Sequence, residues 1–288
     1  MRELDTSQLE GIGEPVKIDY KKMFQSSFID VQAKLSYPPT AISMGLTHEI
    51  AGTRYPIPFG TYGNFSCIVG ASKSKKSFIK SLLMAAYIGG GVTNYADNIK
   101  THRETDKFII DIDTEQSEWH SQNVFKRVPK MVGEYYDYYK PFYLRKYDFK
   151  ERLQFIEWLI LESEFKDNIG LVSIDGFADL VSDVNDLEQS NMITQKLLKW
   201  TDISQCHLTG ILHSNYGSEK PTGHLGSSIL KKAETVCNLA VDEQDPRITN
   251  VSFKYTRGFS IDEFRFSIDS DGLPVVDNNK IDNNQVTF

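Results

Sequence analysis

Gly70-Ala71-Ser72-Lys73-Ser74-Lys75-Lys76-Ser77 stands between a short apolar run, Phe65 to Val69, and a helical run, Ser77 to Ile88. The segment matches the phosphate-loop pattern GxxxxGK[ST] at every fixed position but one, because Lys75 stands in the place of the second glycine. In that pattern, amide N–H groups of the loop and helix start wrap phosphates, the lysine reaches the outer phosphates and the hydroxyl binds Mg²⁺. Lys76 and Ser77 would take those last two roles. The alternative is a Lys/Ser-rich surface turn that caps a helix. A side chain at position 75 resists positive φ, so the loop must either begin the helix regularly or bear strain. Its ammonium would add a second positive charge beside the phosphates.

Outward from this loop the chain alternates between apolar strands and longer helical runs. Strands are expected at Lys107–Asp113, Phe142–Leu144, Gly170–Asp175 and Leu208–Leu212. Helices are expected at Glu118–Tyr139, Phe149–Glu164 and Asn191–Gln205. Such alternation is the grammar of an α/β protein with a parallel sheet flanked by helices. After Val236 the pattern changes to antiparallel strands, Val236–Val241, Thr249–Lys254 and Glu263–Ile268, with a turn at Asp271-Gly272. Residues 1–58 read as an appendage: a helix over Tyr20–Leu35, closed by Pro38-Pro39, then a hairpin or two edge strands over Thr40–Phe59. Residues 59–276 form the core, and 277–288 a polar tail.

Three further residues fall at predicted strand ends. Asp175 follows Leu171-Val172-Ser173-Ile174 and would hold Mg²⁺ as a Walker B acid does, although many parallel strands end in Asp. Glu115, just after Ile112-Asp113-Thr114, would orient the attacking water as general base; a solvated acid at a helix start is the other reading. His213 ends Gly210-Ile211-Leu212 and would sense the γ-phosphate, or simply cap the next turn. A Lys, a Glu, an Asp and a His at successive strand ends of one sheet are hard to ascribe to coincidence.

The 288 residues carry a net charge of −7, with 40% hydrophobic and 25% charged residues. This is globular composition, and the acidic balance argues against a general basic nucleic-acid surface or a polybasic membrane binder. Lys73, Lys75, Lys76 and Lys80 would be a local exception, four positive charges at one helix start. Three scattered cysteines, no apolar leader and no long apolar span lead us to expect a cytoplasmic protein with no membrane contact.

The segments GASKSKKS, DIDTEQ, LVSIDGFADL and GILHSN, the last followed by GSEKPTGHLGSS and a helix over Ile229–Ala233, resemble the RecA-like core ATPases. Within these the chain looks nearest to the DnaB/RepA-type hexameric helicase branch of phages, plasmids and mobile elements. The resemblance covers about Phe59 to Pro274. It implies ATP and Mg²⁺ as ligands, assembly into a ring or filament, single-stranded DNA as a partner, and replication or mobile-element proteins as further partners. It also implies that Lys254 and Arg257 act in trans on a neighbouring subunit's nucleotide, and that loops 179–191 and 214–228 grip DNA. The leading expectation is therefore an Mg²⁺-dependent ATPase with a DNA-associated, helicase-like role. The alternative is a nucleotide-dependent switch with weak or no hydrolysis, favoured by Lys75 and by the acids Asp179, Asp183, Asp186 and Glu188 in the first loop. Trp119-His120 with His102 lacks a third ligand for a metal site. The tyrosine-rich stretch Tyr135–Tyr143 reads as a helix end and strand packed into the core or against a neighbouring subunit, rather than a base-stacking platform.

Overall fold

The computed structural model describes residues 18–34, 36–215 and 220–277, and divides the chain into two compact units, residues 1–37 and 38–288. In the first unit, helix α1 (Tyr20–Ser27) is capped by Asp19, whose side chain accepts from the Lys22 amide. It ends earlier than the expected Leu35, because Ser26 and Ser27 favour local side-chain bonding over helix and Phe28 is extended. None of its residues is buried. Leu35 itself, Gly217 of the second expected DNA loop and the tail beyond Asp277 lie outside the described residues.

The second unit begins with strands β1 (Thr40–Ile50) and β2 (Thr53–Thr61), the expected hairpin. Then follow β3 (Phe65–Gly70), α2 (Lys76–Ile88), β4 (Lys100–Thr101), β5 (Phe108–Asp113), α3 (Glu118–Val132), β6 (Tyr139–Tyr143) and α4 (Phe149–Leu161). The chain continues through β7 (Ile169–Asp175), α5 (Leu187–Ser204), β8 (His207–His213) and α6 (Gly223–Leu230). It closes with β9 (Thr235–Val241), β10 (Thr249–Thr256), β11 (Phe264–Ile268) and β12 (Pro274–Asp277). β4 joins the hairpin in a small sheet ordered β2-β1-β4. The main sheet has nine strands in the order β12-β11-β10-β9-β3-β8-β7-β5-β6. From β9 to β6 every pairing is parallel, and from β9 to β12 every pairing is antiparallel.

Two cores follow from this layering. On one face Leu82, Leu83 and Tyr87 of α2 and Val128 of α3 pack with Ile42 and Phe59 of the hairpin. The hairpin, grouped with the appendage on sequence alone, thus contributes to the core of the second unit. On the other face Ile156 of α4, Leu197 and Trp200 of α5 and Ile229 of α6 pack over Val172 and Leu208. Strands buried on both faces explain why β7 reads as a nearly unbroken apolar run.

Three further helices differ from expectation, each for a local reason. α3 stops at Val132, where Gly133 is left-handed (φ +88°) and its amide donates to Pro129 O. α5 starts at Leu187 because the Asp186 side chain caps it through the Gln189 amide. The glycine-rich stretch around Gly223–Ser228 is itself helix α6, with Leu225 and Ile229 buried four residues apart. The expected helix over Ile229–Ala233 has instead ended by Lys231.

Candidate functional site at the ends of the parallel strands

Because β3, β8, β7 and β5 are adjacent and parallel, their C-terminal ends share one sheet edge. The register pairs Gly70 with His213 and Asp113 with Asp175. Gly70 leaves β3 where a side chain could not fit: a Cβ there would come within 2.4 Å of Ser74 Oγ and 2.8 Å of Leu239 O. The loop then passes through two left-handed residues, Lys73 (φ +65°) and Lys75 (φ +64°), before α2 begins.

Lys75, in the glycine slot, therefore takes the strained alternative. Its ammonium does not face the loop. It donates to Pro246 O (2.9 Å), Arg247 O (3.2 Å) and Thr249 Oγ1 (3.0 Å) in the β9–β10 turn. Partial burial lowers its pKa, against the pull of Asp245. Lys76 closes the loop: Nζ lies 2.9 Å from Gly70 O, 2.7 Å from Ala71 O and 3.2 Å from His213 Nδ1. Burial lowers its pKa, while Asp175 and Glu115 work the other way. Lys80 also departs from the sequence reading. It is completely buried, 3.1 Å from Asp111 Oδ1 and 3.7 Å from Asp175 Oδ2. Burial opposes its charge, but Asp111 and Asp175 outweigh burial and its pKa stands above the ordinary value. The four expected charges reduce to Lys76 at the loop and exposed Lys73.

His213 links two strand ends. An ammonium can only donate, so Lys76 makes Nδ1 the acceptor, and the ring proton sits on Nε2, facing Glu115 Oε2 at 3.6 Å. The His213 ring holds the Glu115 carboxyl below its usual pKa, against burial and with help from Lys76. Asp175, on β7 between them, is nearly buried, and burial raises its pKa to about 6 although Lys80 pulls it down. Asp113 accepts from the Glu115 and Gln116 amides and so shapes the turn that presents Glu115.

The structure thus brings Gly70–Ser77, Glu115, Asp175 and His213 to one edge. It does not bring Lys254 and Arg257 there. β10 runs antiparallel to β9, so its start, Thr249, meets the phosphate-loop edge, whereas Lys254 and Arg257 lie toward the opposite edge. Arg257 there donates to Lys232 O, and its amide to Glu234 O. The first expected DNA loop is likewise occupied with local structure. Asp179 Oδ2 lies 2.7 Å from Thr114 Oγ1, Asp183 accepts from the Asn185 amide and Asp186 caps α5.

Sequence reasoning missed Asp111 and Asp113 as parts of this site, and read Lys80 as a charge at the helix start rather than as the buried partner of Asp111. The signal was present as a pair: a lysine inside the apolar run FIKSLLMAAYI and an aspartate inside FIIDID, each costly to bury without the other. Tyr139 completes this buried group by donating to Asp111 Oδ2 at 2.7 Å. Tyr136, Tyr139 and Tyr143 also line a cavity of about 450 Å³ between α3 and β6, on the flank of the sheet.

A cavity of about 430 Å³ lies beside the phosphate loop, between Gly70, Ala71 and Ser72 on one side and Asn238, Leu239 and Val241 on the other. It falls in the size range of small-molecule sites. Ser74 Oγ, buried in the loop, has no hydrogen-bond partner among the described residues. The donor set suits a phosphate ligand and a hard cation: backbone amides and Lys76 for the first, Ser77 Oγ and the Asp175 carboxylate for the second. Among the described residues no three His, Cys, Asp or Glu side chains form a metal cage, and no helix is long and apolar enough to cross a membrane. Compared with protein-family models the chain matches none, and no curated protein matches it.

Proposed function

We propose that this chain is an Mg²⁺-dependent ATPase with a RecA-like core, binding ATP on the β3–α2 loop and hydrolysing its terminal phosphate bond. One observation carries the reading: the contact chain Lys76–His213–Glu115 across three strand ends, with Asp175 on the strand between. Mg²⁺ bound by Ser77 and Asp175 would neutralise charge on the phosphates. Lys76 would bind the outer phosphates, and doing so would weaken its hold on Gly70 O, Ala71 O and His213. Glu115, kept ionised by His213, would accept a proton from the attacking water. Once Lys76 turns to a phosphate, His213 Nδ1 loses its donor, which gives the ring a means of reporting the nucleotide's state to the chain beyond β8.

The DNA-associated part of the proposal rests on the resemblance. It comprises a ring or filament of like chains, single-stranded DNA, and replication or mobile-element partners. Lys254 and Arg257, distant from their own phosphate loop, suit a role in trans, so turnover should rise with protein concentration. The test is ATP turnover with and without single-stranded DNA, for the native chain and Glu115→Gln. A native rate no higher than the variant's removes the ATPase reading. Turnover that DNA fails to stimulate removes the helicase-like role alone.

A second reading, a slow or non-hydrolysing nucleotide switch, is favoured by Lys75. Its three contacts tie the loop to the β9–β10 turn, a link that nucleotide binding would strain. ATP binding without turnover would select it.

A further inference from the structure

On α3, Arg127 places its guanidinium over the Phe78 ring, 3.6 Å from the ring centre, with Nη1 3.5 Å from Ser77 Oγ. Other arginines of the described residues are exposed, as Arg54 and Arg145 are, or have evident partners. Arg152 lies near Asp179, Arg247 pairs with Asp245, Arg265 with Asp277, and Arg103 donates to Ile88 O and Tyr136 Oη. Arg127 is half-buried, and among the described residues no carboxylate forms an ion pair with it. It is charged at neutral pH. Its contact with Ser77 is at the long limit of a hydrogen bond and cannot compensate a guanidinium with five donors. The stack on Phe78 fixes the group without neutralising it. The result is a preorganised cation, short of an anion, beside the first turn of α2.

We propose that Arg127 is a phosphate-binding residue of the same chain, a cis cation aimed by Phe78 at the nucleotide held by the β3–α2 loop. The inference rests on the nucleotide reading above and adds a residue to it. It also separates two sources of positive charge. Lys254 and Arg257 lie toward the opposite sheet edge; the nine residues from Thr249 to Arg257 span roughly 25 Å of extended chain. They can serve only another subunit's nucleotide, whereas Arg127 serves its own at any protein concentration.

The experiment is equilibrium binding of ATP to the full chain, by displacement of a fluorescent ATP analogue, with Mg²⁺ and with EDTA. It compares the native chain with Arg127→Gln, Arg127→Lys, Phe78→Leu and Lys76→Ala. Arg127→Gln should weaken ATP about ten- to a hundredfold, the usual range for a charge-assisted contact. The loss should be larger in EDTA than in Mg²⁺, because each cation partly covers for the other. Arg127→Lys should recover part of the affinity, Phe78→Leu should lose a smaller part, and native affinity should not depend on protein concentration. If Arg127→Gln keeps native affinity and Mg²⁺ dependence while Lys76→Ala loses binding, the inference falls and the nucleotide reading stands. A lower Tm for Arg127→Gln with an unchanged ATP-induced rise in Tm would likewise reduce Arg127 to a structural role. If the native chain binds no ATP, the nucleotide reading fails and takes this inference with it.

Discussion

Strand β8 begins and ends with histidine, and the two ends use the same ring in opposite ways. His207 is completely buried; Nδ1–H donates to Thr61 O (3.0 Å) and Nε2 accepts from Ser66 Oγ (2.9 Å). Thr61 in turn donates through its amide and hydroxyl to the two oxygens of Glu234, at 2.8 and 2.7 Å. Every polar atom of that ring is satisfied by short bonds, so it is fixed in one neutral tautomer. The His213 side chain is 42% exposed, and its contacts to Lys76 and Glu115, at 3.2 and 3.6 Å, are longer. A closed buried circuit stabilises the fold, whereas an open and loosely satisfied one can exchange partners when a ligand arrives.

The strongest way to break this comparison is at the glutamates. Under the proposed function, Glu115→Gln should reduce ATP turnover by about 10²–10⁴-fold, the usual contribution of a general base. Its Tm should stay nearly native, since an exposed pair contributes little to stability. The check is steady-state phosphate release beside a thermal melt, and a large fall in Tm would place Glu115 with the structural group instead.

The histidines should divide the other way. His207→Ala strands Thr61 O and Ser66 Oγ in the interior and leaves a void, at a cost of about 2–4 kcal/mol. His213→Ala should cost about 0.5 kcal/mol or less. Urea unfolding of both variants measures this directly, and equal losses would erase the distinction. pH sharpens it. Burial lowers the His207 pKa, so its contribution is present above the ordinary histidine value and is lost as pH falls below about 6.5, where the unfolded chain takes up a proton.

Asp175 has the opposite sign. Folding raises its pKa to about 6, so its charge costs stability above that pH, and the cost fades as pH falls toward the ordinary 3.8. Asp175→Asn should therefore stabilise the chain at pH 8, by at most about 3 kcal/mol, and by almost nothing near pH 4. Chemical denaturation at the two pH values checks this. A destabilised variant at pH 8 would mean that Lys80 needs both of its carboxylates.

How legible the site was in the sequence follows the same division. Gly70–Ser77, Glu115, Asp175 and His213 were readable because each sits at a strand end, and apolar runs of five to seven residues mark strand ends well. The parallel sheet was readable from the same runs. Lys80 with Asp111 and Asp175, and His207 with Thr61, were not, because their meaning lies in partners between 31 and 146 positions away in the chain. The orientation of Lys75 was hidden for the same reason: its charge suggested a phosphate ligand, but its partners lie on the β9–β10 turn. Helix α6 was hidden by its glycines, since packing of Leu225 and Ile229 overrides their weak propensity.

The smallest expected effect is at Lys75, where the open circuit meets the strained loop. Lys75→Gly removes a left-handed side chain, a gain of about 1 kcal/mol, and also removes the three contacts to the β9–β10 turn, a loss of similar size. The Tm should therefore hardly change, and the informative quantity is turnover. If the tie to the turn holds the loop back, releasing it should raise ATP turnover about threefold, equivalent to roughly 0.7 kcal/mol of barrier. Unchanged turnover would mean that the strained slot is only a tolerated substitution. A fall would mean that the tie holds the loop in its working shape, and Lys75 would then belong with the closed, structural circuits such as that of His207.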